Sequence, residues 1–150
     1  MWNTNSYFWE EKSVAKWSEE RMKEILGSFK YKFGGGELSV TEVKELKGES
    51  SVSIRKGKKI VSYDYNAKLK WDCSLKDGEG NEVGKMKGEY VMPEISNEIV
   101  DDGDEIEVKS MINEDQANLA GRYENIWKKE ATKALRKEIL DKFVQELKQK

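Results

Sequence analysis

The chain predicts an α+β fold: a long antiparallel four-stranded meander sheet, with an N-terminal helix and a long C-terminal helix packed along it. Two observations carry this. From Lys59 to Leu75 every odd position after the first is apolar (Val61, Tyr63, Tyr65, Ala67, Leu69, Trp71, Cys73, Leu75), and every even one except Ile60 is polar. That is the period of a strand with one wet face. Over 13–29 and 118–148, by contrast, apolar residues recur at helical spacing. At about 3.3 Å per residue the central strand would span roughly 55 Å, so the sheet is expected to be long and bent.

A length of 150 residues suits one domain, 1–150, able to bury a core without staples. Its 27 basic and 29 acidic residues leave a net charge of -2, so no global field recruits nucleic acid or an anionic membrane. Histidine is absent, which removes the commonest general base and metal ligand; no metal site or cofactor is expected. Cys73, the one cysteine, falls on the apolar side of the strand and is expected to be a buried, inert thiol. With no secretory leader pattern and no apolar run near the roughly 20 residues of a membrane span, a cytoplasmic protein is expected.

Residues 1–12 read as an ordered arm, because Asn3-Thr4-Asn5-Ser6 followed by Tyr7-Phe8-Trp9 fits neither helical nor strand periodicity. Ser13 can cap a helix over 13–29, with Val14, Trp17, Met22, Ile25, Leu26 and Phe29 inward and Lys16, Glu19, Glu20, Lys23 and Glu24 in solvent. Gly34-Gly35-Gly36 is no phosphate loop, since it leads into a strand and lacks the closing Lys-Ser/Thr. The sheet then occupies 38–112, with a hairpin turn at 77–80 and further strands near 83–92 and 105–112, punctuated by Pro93 and by Asp101-Asp102-Gly103-Asp104. That acidic turn lacks the Gly placement and distal Glu of a calcium loop. If continuous, the terminal helix is a rod of roughly 45 Å, matched in reach to the long strand.

The hairpin between the two longest strands has a testable register. A two-residue loop at Lys56-Gly57 sets Val52 opposite Val61, Ser50 opposite Tyr63, Gly48 opposite Tyr65 and Leu46 opposite Ala67, so the apolar faces coincide; a one-residue slip mixes them. Arg55 and Lys58 then flank the tip on the wet face, Lys56 sits at the apex and Lys59 follows. Ile60 lies opposite Ser53, and Glu49 lies opposite Asp64 as a like-charge pair about 20 Å from the apex. A basic tip, an exposed Ile60 and an acidic pair on one strip suit a protein-binding surface with charges of both signs. A basic turn that only keeps a sheet end soluble is the plainer alternative.

With these residues in order, the chain resembles the N-terminal domain of the activators of heat-shock protein 90 ATPase. Asn3, Asn5 and Trp9 match that family's Asn-x-Asn-Asn-Trp-His-Trp motif, while Ser6, Tyr7 and Phe8 depart from it. Arg55, Lys56 and Lys58 match its Arg-Lys-x-Lys motif between two strands, with Glu49 as the upstream acid. The resemblance implies a monomeric co-chaperone, not itself an enzyme. It would bind the middle segment of the chaperone dimer, favour the active arrangement of the catalytic loop and so stimulate ATP hydrolysis by the chaperone. It further implies that Arg55, Lys56, Lys58 and Glu49 make that contact, and that the Asn3–Trp9 arm acts near the chaperone's N-terminal domains. Larger members carry a second domain, so the resemblance leads one to expect an excised domain or a short homologue. The competing reading is a protein-interaction or ligand-binding module using a groove between sheet and helix, without ATPase stimulation.

Overall fold

The computed structural model describes residues 4–112 and 121–148, with the side chains of 4–13, Val52, Arg55, Lys59 and Lys148 outside that description. Helix α1 (Thr4–Gly27) is followed by strands β1 (Lys30–Phe33), β2 (Gly36–Arg55), β3 (Lys58–Lys76) and β4 (Glu82–Ser96), a short helix α2 (Asn97–Asp101) and β5 (Lys109–Ile112). A final helical run, 125–148, is here termed α3. The strands form one antiparallel sheet in the order β1-β2-β3-β4-β5. The α+β class, the meander and the two flanking helices are as expected.

Four details differ from the expectation. The sheet has five strands, because Tyr31 and Phe33 make a short edge strand that the glycine run folds back on β2, pairing Phe33 with Gly36. The helix begins at Thr4 instead of Ser13, so the expected arm is helical from Thr4 onward; Asn3 lies outside the described residues. Pro93 does not end β4 but sits inside it. There Ala67 pairs with Met92 and Tyr65 with Ile95, so Pro93 occupies an irregularity where its missing N–H breaks no ladder bond. The last strand starts at Lys109, with the buried Ile106 anchoring the segment before it.

Two bulges bend β2. The register shifts between Val43 and Glu45 and again between Val40 and Glu42, so Lys44 and Thr41 are the extra residues. Val40, Val43 and Leu46, spaced by three, thereby all face the helices, where strict alternation would turn Val43 outward.

Helix α3 alternates π turns (Asn125–Glu130, Ile139–Val144) with α turns (Ala131–Glu138, Gln145–Lys148). Its buried stripe explains why. Trp127, Ala131, Leu135, Ile139, Phe143 and Leu147 recur every four residues. In an ideal α-helix each such step drifts by about 40°, and five steps would carry the stripe round to solvent. Wider π turns cancel the drift and hold the stripe on the sheet.

The layer between sheet and helices is filled. Trp127 stacks on Trp71 at 6.2 Å, and Tyr90 donates a hydrogen bond of 2.6 Å to the Trp127 carbonyl. Further along, Phe143 meets Trp17 at 6.2 Å, Tyr63 at 5.4 Å and Tyr65 at 6.0 Å. From Trp127 to Phe143 α3 rises about 24 Å, close to the roughly 26 Å of strand between Trp71 and Tyr63. The two elements therefore run antiparallel and in step. Arg21 ties α1 to α3 through Glu146 at 2.9 Å.

Candidate functional site

The aromatic packing ends at Tyr63, and the β2–β3 hairpin continues past it to the turn. Five further residues of β3, Lys58 to Ser62, carry the sheet about 17 Å beyond that packing. The expected register holds throughout: Val52 pairs with Val61, Glu49 with Asp64, Ser53 with Ile60 and Arg55 with Lys58. Lys56 and Gly57 both have positive φ, 51° and 77°, which is the backbone of a two-residue type I′ turn. Glycine accepts that conformation freely, but a lysine there costs roughly 1–2 kcal/mol. Lys56 and Lys58 are exposed.

By strand alternation Arg55, Lys58 and Ile60 share a face with Glu49 and Asp64, whereas Lys59 falls on the opposite face, paired with Ile54. Ile60 is 40% exposed and Ile54 44% exposed, so the tip offers an aliphatic side chain on each face. Nothing in the sequence marks Ile54 as exposed. It continues the inward positions of β2, and only the point at which the helices stop leaves it uncovered.

Gly48 builds the acidic end of the site. Its φ of 137° is a conformation that L side chains rarely adopt, and a β-carbon there would overlap the carbonyl oxygen of Asp64 and the Cα of Tyr65. The two strands approach closely at this point, and Gly48, Glu49, Asp64 and Asn66 line a shallow depression of about 380 Å³. Asn97 finishes the edge: its side-chain oxygen accepts the Tyr63 N–H at 3.1 Å, just where the pairing of β4 stops at Ser96.

A buried hydroxyl network fixes the hairpin base to α1. Tyr65 donates to Ser18 Oγ at 3.2 Å, Ser18 also contacts Ser50 Oγ, and Ser18 Oγ donates to the Val14 carbonyl at 2.9 Å. Ser50, the polar residue on the apolar face of β2, is satisfied in this way. Burial first, and Asp101 nearby second, push the Tyr63 hydroxyl up to about 12.

Charge on the outer face is unevenly neutralised. Over the broad part of the sheet Lys44 pairs with Glu89 at 2.6 Å, Glu45 with Lys47 at 2.7 Å, Lys70 with Glu42 at 3.7 Å and Lys85 with Asp72 at 3.3 Å. The hydrogen bond from Lys47, with its charge, holds the Glu45 carboxyl below its ordinary value, and Glu89 raises Lys44 in the same manner. Among the described residues no ion pair reaches Glu49, Asp64, Lys56 or Lys58. Nor do three metal-ligating side chains gather anywhere among the described residues. Asn5, Ser6, Tyr7, Phe8 and Trp9 lie in the first turns of α1, as backbone only.

Comparison with known proteins bears on the family and the fold. Residues 11–150 match the family model "Activator of Hsp90 ATPase, N-terminal". Activator of 90 kDa heat shock protein ATPase homolog 1 is 32% identical over 137 residues in Mus musculus, covering 91% of this chain and 38% of that protein. Its Homo sapiens counterpart is 33% identical over 134 residues, covering 89% and 37%. The chain thus spans less than two-fifths of either relative. Among solved structures, Aha-1 from Plasmodium falciparum superposes with a TM-score of 0.70 at 26% identity, over 89% of this chain and 87% of that one. The human Aha1 N-terminal domain gives 0.52 at 25% identity, over 89% and 96%.

Proposed function

The chain belongs to the family of Hsp90 ATPase activators, and from that membership we propose that it is a co-chaperone that binds the middle segment of Hsp90 and stimulates its ATPase. Hydrolysis is performed by the chaperone; this domain favours the active arrangement of the catalytic loop. The single observation that carries the reading is the apex of the hairpin. A lysine is held there in a backbone conformation suited to glycine, on a projection beyond the packed core, where Lys56, Lys58, Glu49 and Asp64 have no ion-pair partner among the described residues. Strain kept at an exposed charged position is a mark of use.

Arg55, Lys56 and Lys58 would meet acidic groups of the chaperone, Glu49 and Asp64 basic ones, with Ile60 burying apolar surface between them. Lys59 and Ile54 extend the contact to the second face of the tip. The domain need only bind the competent conformer more tightly, since each 1.4 kcal/mol of preference shifts that population about tenfold. The Asn3 to Trp9 segment would act near the chaperone's N-terminal domains. The free protein is taken to be a cytoplasmic monomer, and no described helix is long and apolar enough to cross a membrane.

The test is the steady-state ATPase rate of Hsp90 with and without this chain. Stimulation is expected, falling with added salt and largely removed by Arg55→Ala together with Lys56→Ala in a domain that stays folded. No stimulation, or full stimulation by the double variant, overturns the reading. Removal of residues 1–9 probes the arm separately, and unchanged ATPase kinetics and nucleotide affinity would sink its assigned role.

A further inference from the structure

The outer face of α3 carries a row of lysines. Lys129, Lys133 and Lys137 are exposed and, among the described residues, have no acidic partner. Several other charges on this helix are matched: Lys128 with Glu124 at 3.2 Å, Lys142 with Glu138 at 2.7 Å, and Glu146 with Arg21. The three lysines recur every four residues; Lys129 lies in the first π turn, and Lys133 and Lys137 in the α turns that follow it. At 1.5 Å per residue they present positive charges about 6 Å apart.

Beside the row runs a groove of about 840 Å³, walled on its far side by the segment that precedes β5. Its apolar lining is Val108 and Leu140, the latter 37% exposed. Arg136 holds the wall in place, donating to the Ile106 carbonyl at 2.6 Å and to Glu105 at 2.7 Å. The groove is therefore built with a fixed wall, an apolar floor and a cationic rim.

We propose that this groove binds an acidic peptide segment of a partner protein. Its carboxylates would pair with Lys129, Lys133 and Lys137, and an apolar side chain would seat between Val108 and Leu140. The spacing suits such a ligand: alternate residues of an extended chain lie about 6.6 Å apart, and i,i+4 positions of a helix about 6 Å. A nucleic acid matches the charge but brings no aliphatic side chain for the floor, and the chain's net charge of -2 offers it no wider attraction. This surface is separate from the hairpin tip and does not depend on the function proposed for it.

A short fluorescein-labelled peptide in which Glu and Leu alternate, titrated with the intact chain and followed by fluorescence anisotropy, tests the proposal. Saturable binding is expected. The triple variant Lys129→Gln, Lys133→Gln, Lys137→Gln should weaken it about tenfold or more, the single variants by smaller steps, and Leu140→Ser several-fold. Arg55→Ala with Lys56→Ala should leave it unchanged. Circular dichroism verifies that each variant is folded, which exposed Lys→Gln changes favour. The proposal is overturned by absence of binding, by equal binding of the peptide with Gln in place of Glu, by an unaffected triple variant, or by tighter binding to oligothymidylate or phosphatidylserine vesicles.

Discussion

Glu49 and Asp64 face one another across β2 and β3, one residue beyond the glycine that brings the two strands together. Two carboxylates opposite each other repel, at a cost of a few tenths of a kcal/mol. Asp64→Asn is therefore expected to raise the urea midpoint slightly while lowering stimulation of the Hsp90 ATPase. A variant that gains stability and keeps full stimulation would remove the acidic pair from the contact.

The apex offers the same separation of stability from use. Lys56→Asn places a residue that tolerates the left-handed backbone ahead of Gly57, and a gain of up to about 1 kcal/mol is expected. If the Lys56 charge is used, chaperone affinity and its salt dependence fall together. Thermal melts and binding isotherms at two ionic strengths check this.

Gly48→Ala should be costly. Both the backbone conformation and the Asp64 carbonyl oppose a β-carbon, so a loss of about 2 kcal/mol or more is expected in equilibrium urea unfolding. An alanine variant as stable as the parent would mean that the strands are not held this closely.

Alkaline pH should destabilise the fold. Burial pushes the Cys73 thiol from 9.0 to about 11, and burial with Asp101 pushes Tyr63 from 10.0 to about 12. Both folded values lie above the unfolded ones, so the native state keeps its protons longer. Their contribution is complete below about pH 9 and is lost as pH rises toward 11 and 12. Urea midpoints measured from neutral pH upward should begin to fall above about pH 9, less steeply in Tyr63→Phe. A flat profile would contradict the burial of these groups. Cys73 should also react with thiol reagents only when the chain is unfolded.

Much of this site could be read along the chain because its cues are local. Alternation from Val61 to Leu75 and the two-residue turn determine the register, and with it the meeting of Glu49 with Asp64 and of Ser53 with Ile60. The bulges at Thr41 and Lys44 leave only a faint trace in the sequence, the spacing by three of Val40, Val43 and Leu46. Likewise the every-fourth-residue stripe of α3 encodes its π turns, a pattern hidden inside ordinary helical spacing. Pro93 misleads because a proline signals a stop only where its N–H would have been needed.

Chain-local pattern thus settles the long strands and the two main helices, and how β2 meets β3 at the hairpin, but not the edge strand β1, the helical start at Thr4 or the bulges that turn Val43 inward. Where α1 and α3 stop along the sheet belongs to the tertiary structure alone. Ile54 and Tyr63 both lie on the apolar side of the hairpin. Tyr63 is buried against Phe143 while Ile54 stands in solvent, because burial depends on what packs opposite a residue, and no neighbour in sequence supplies that.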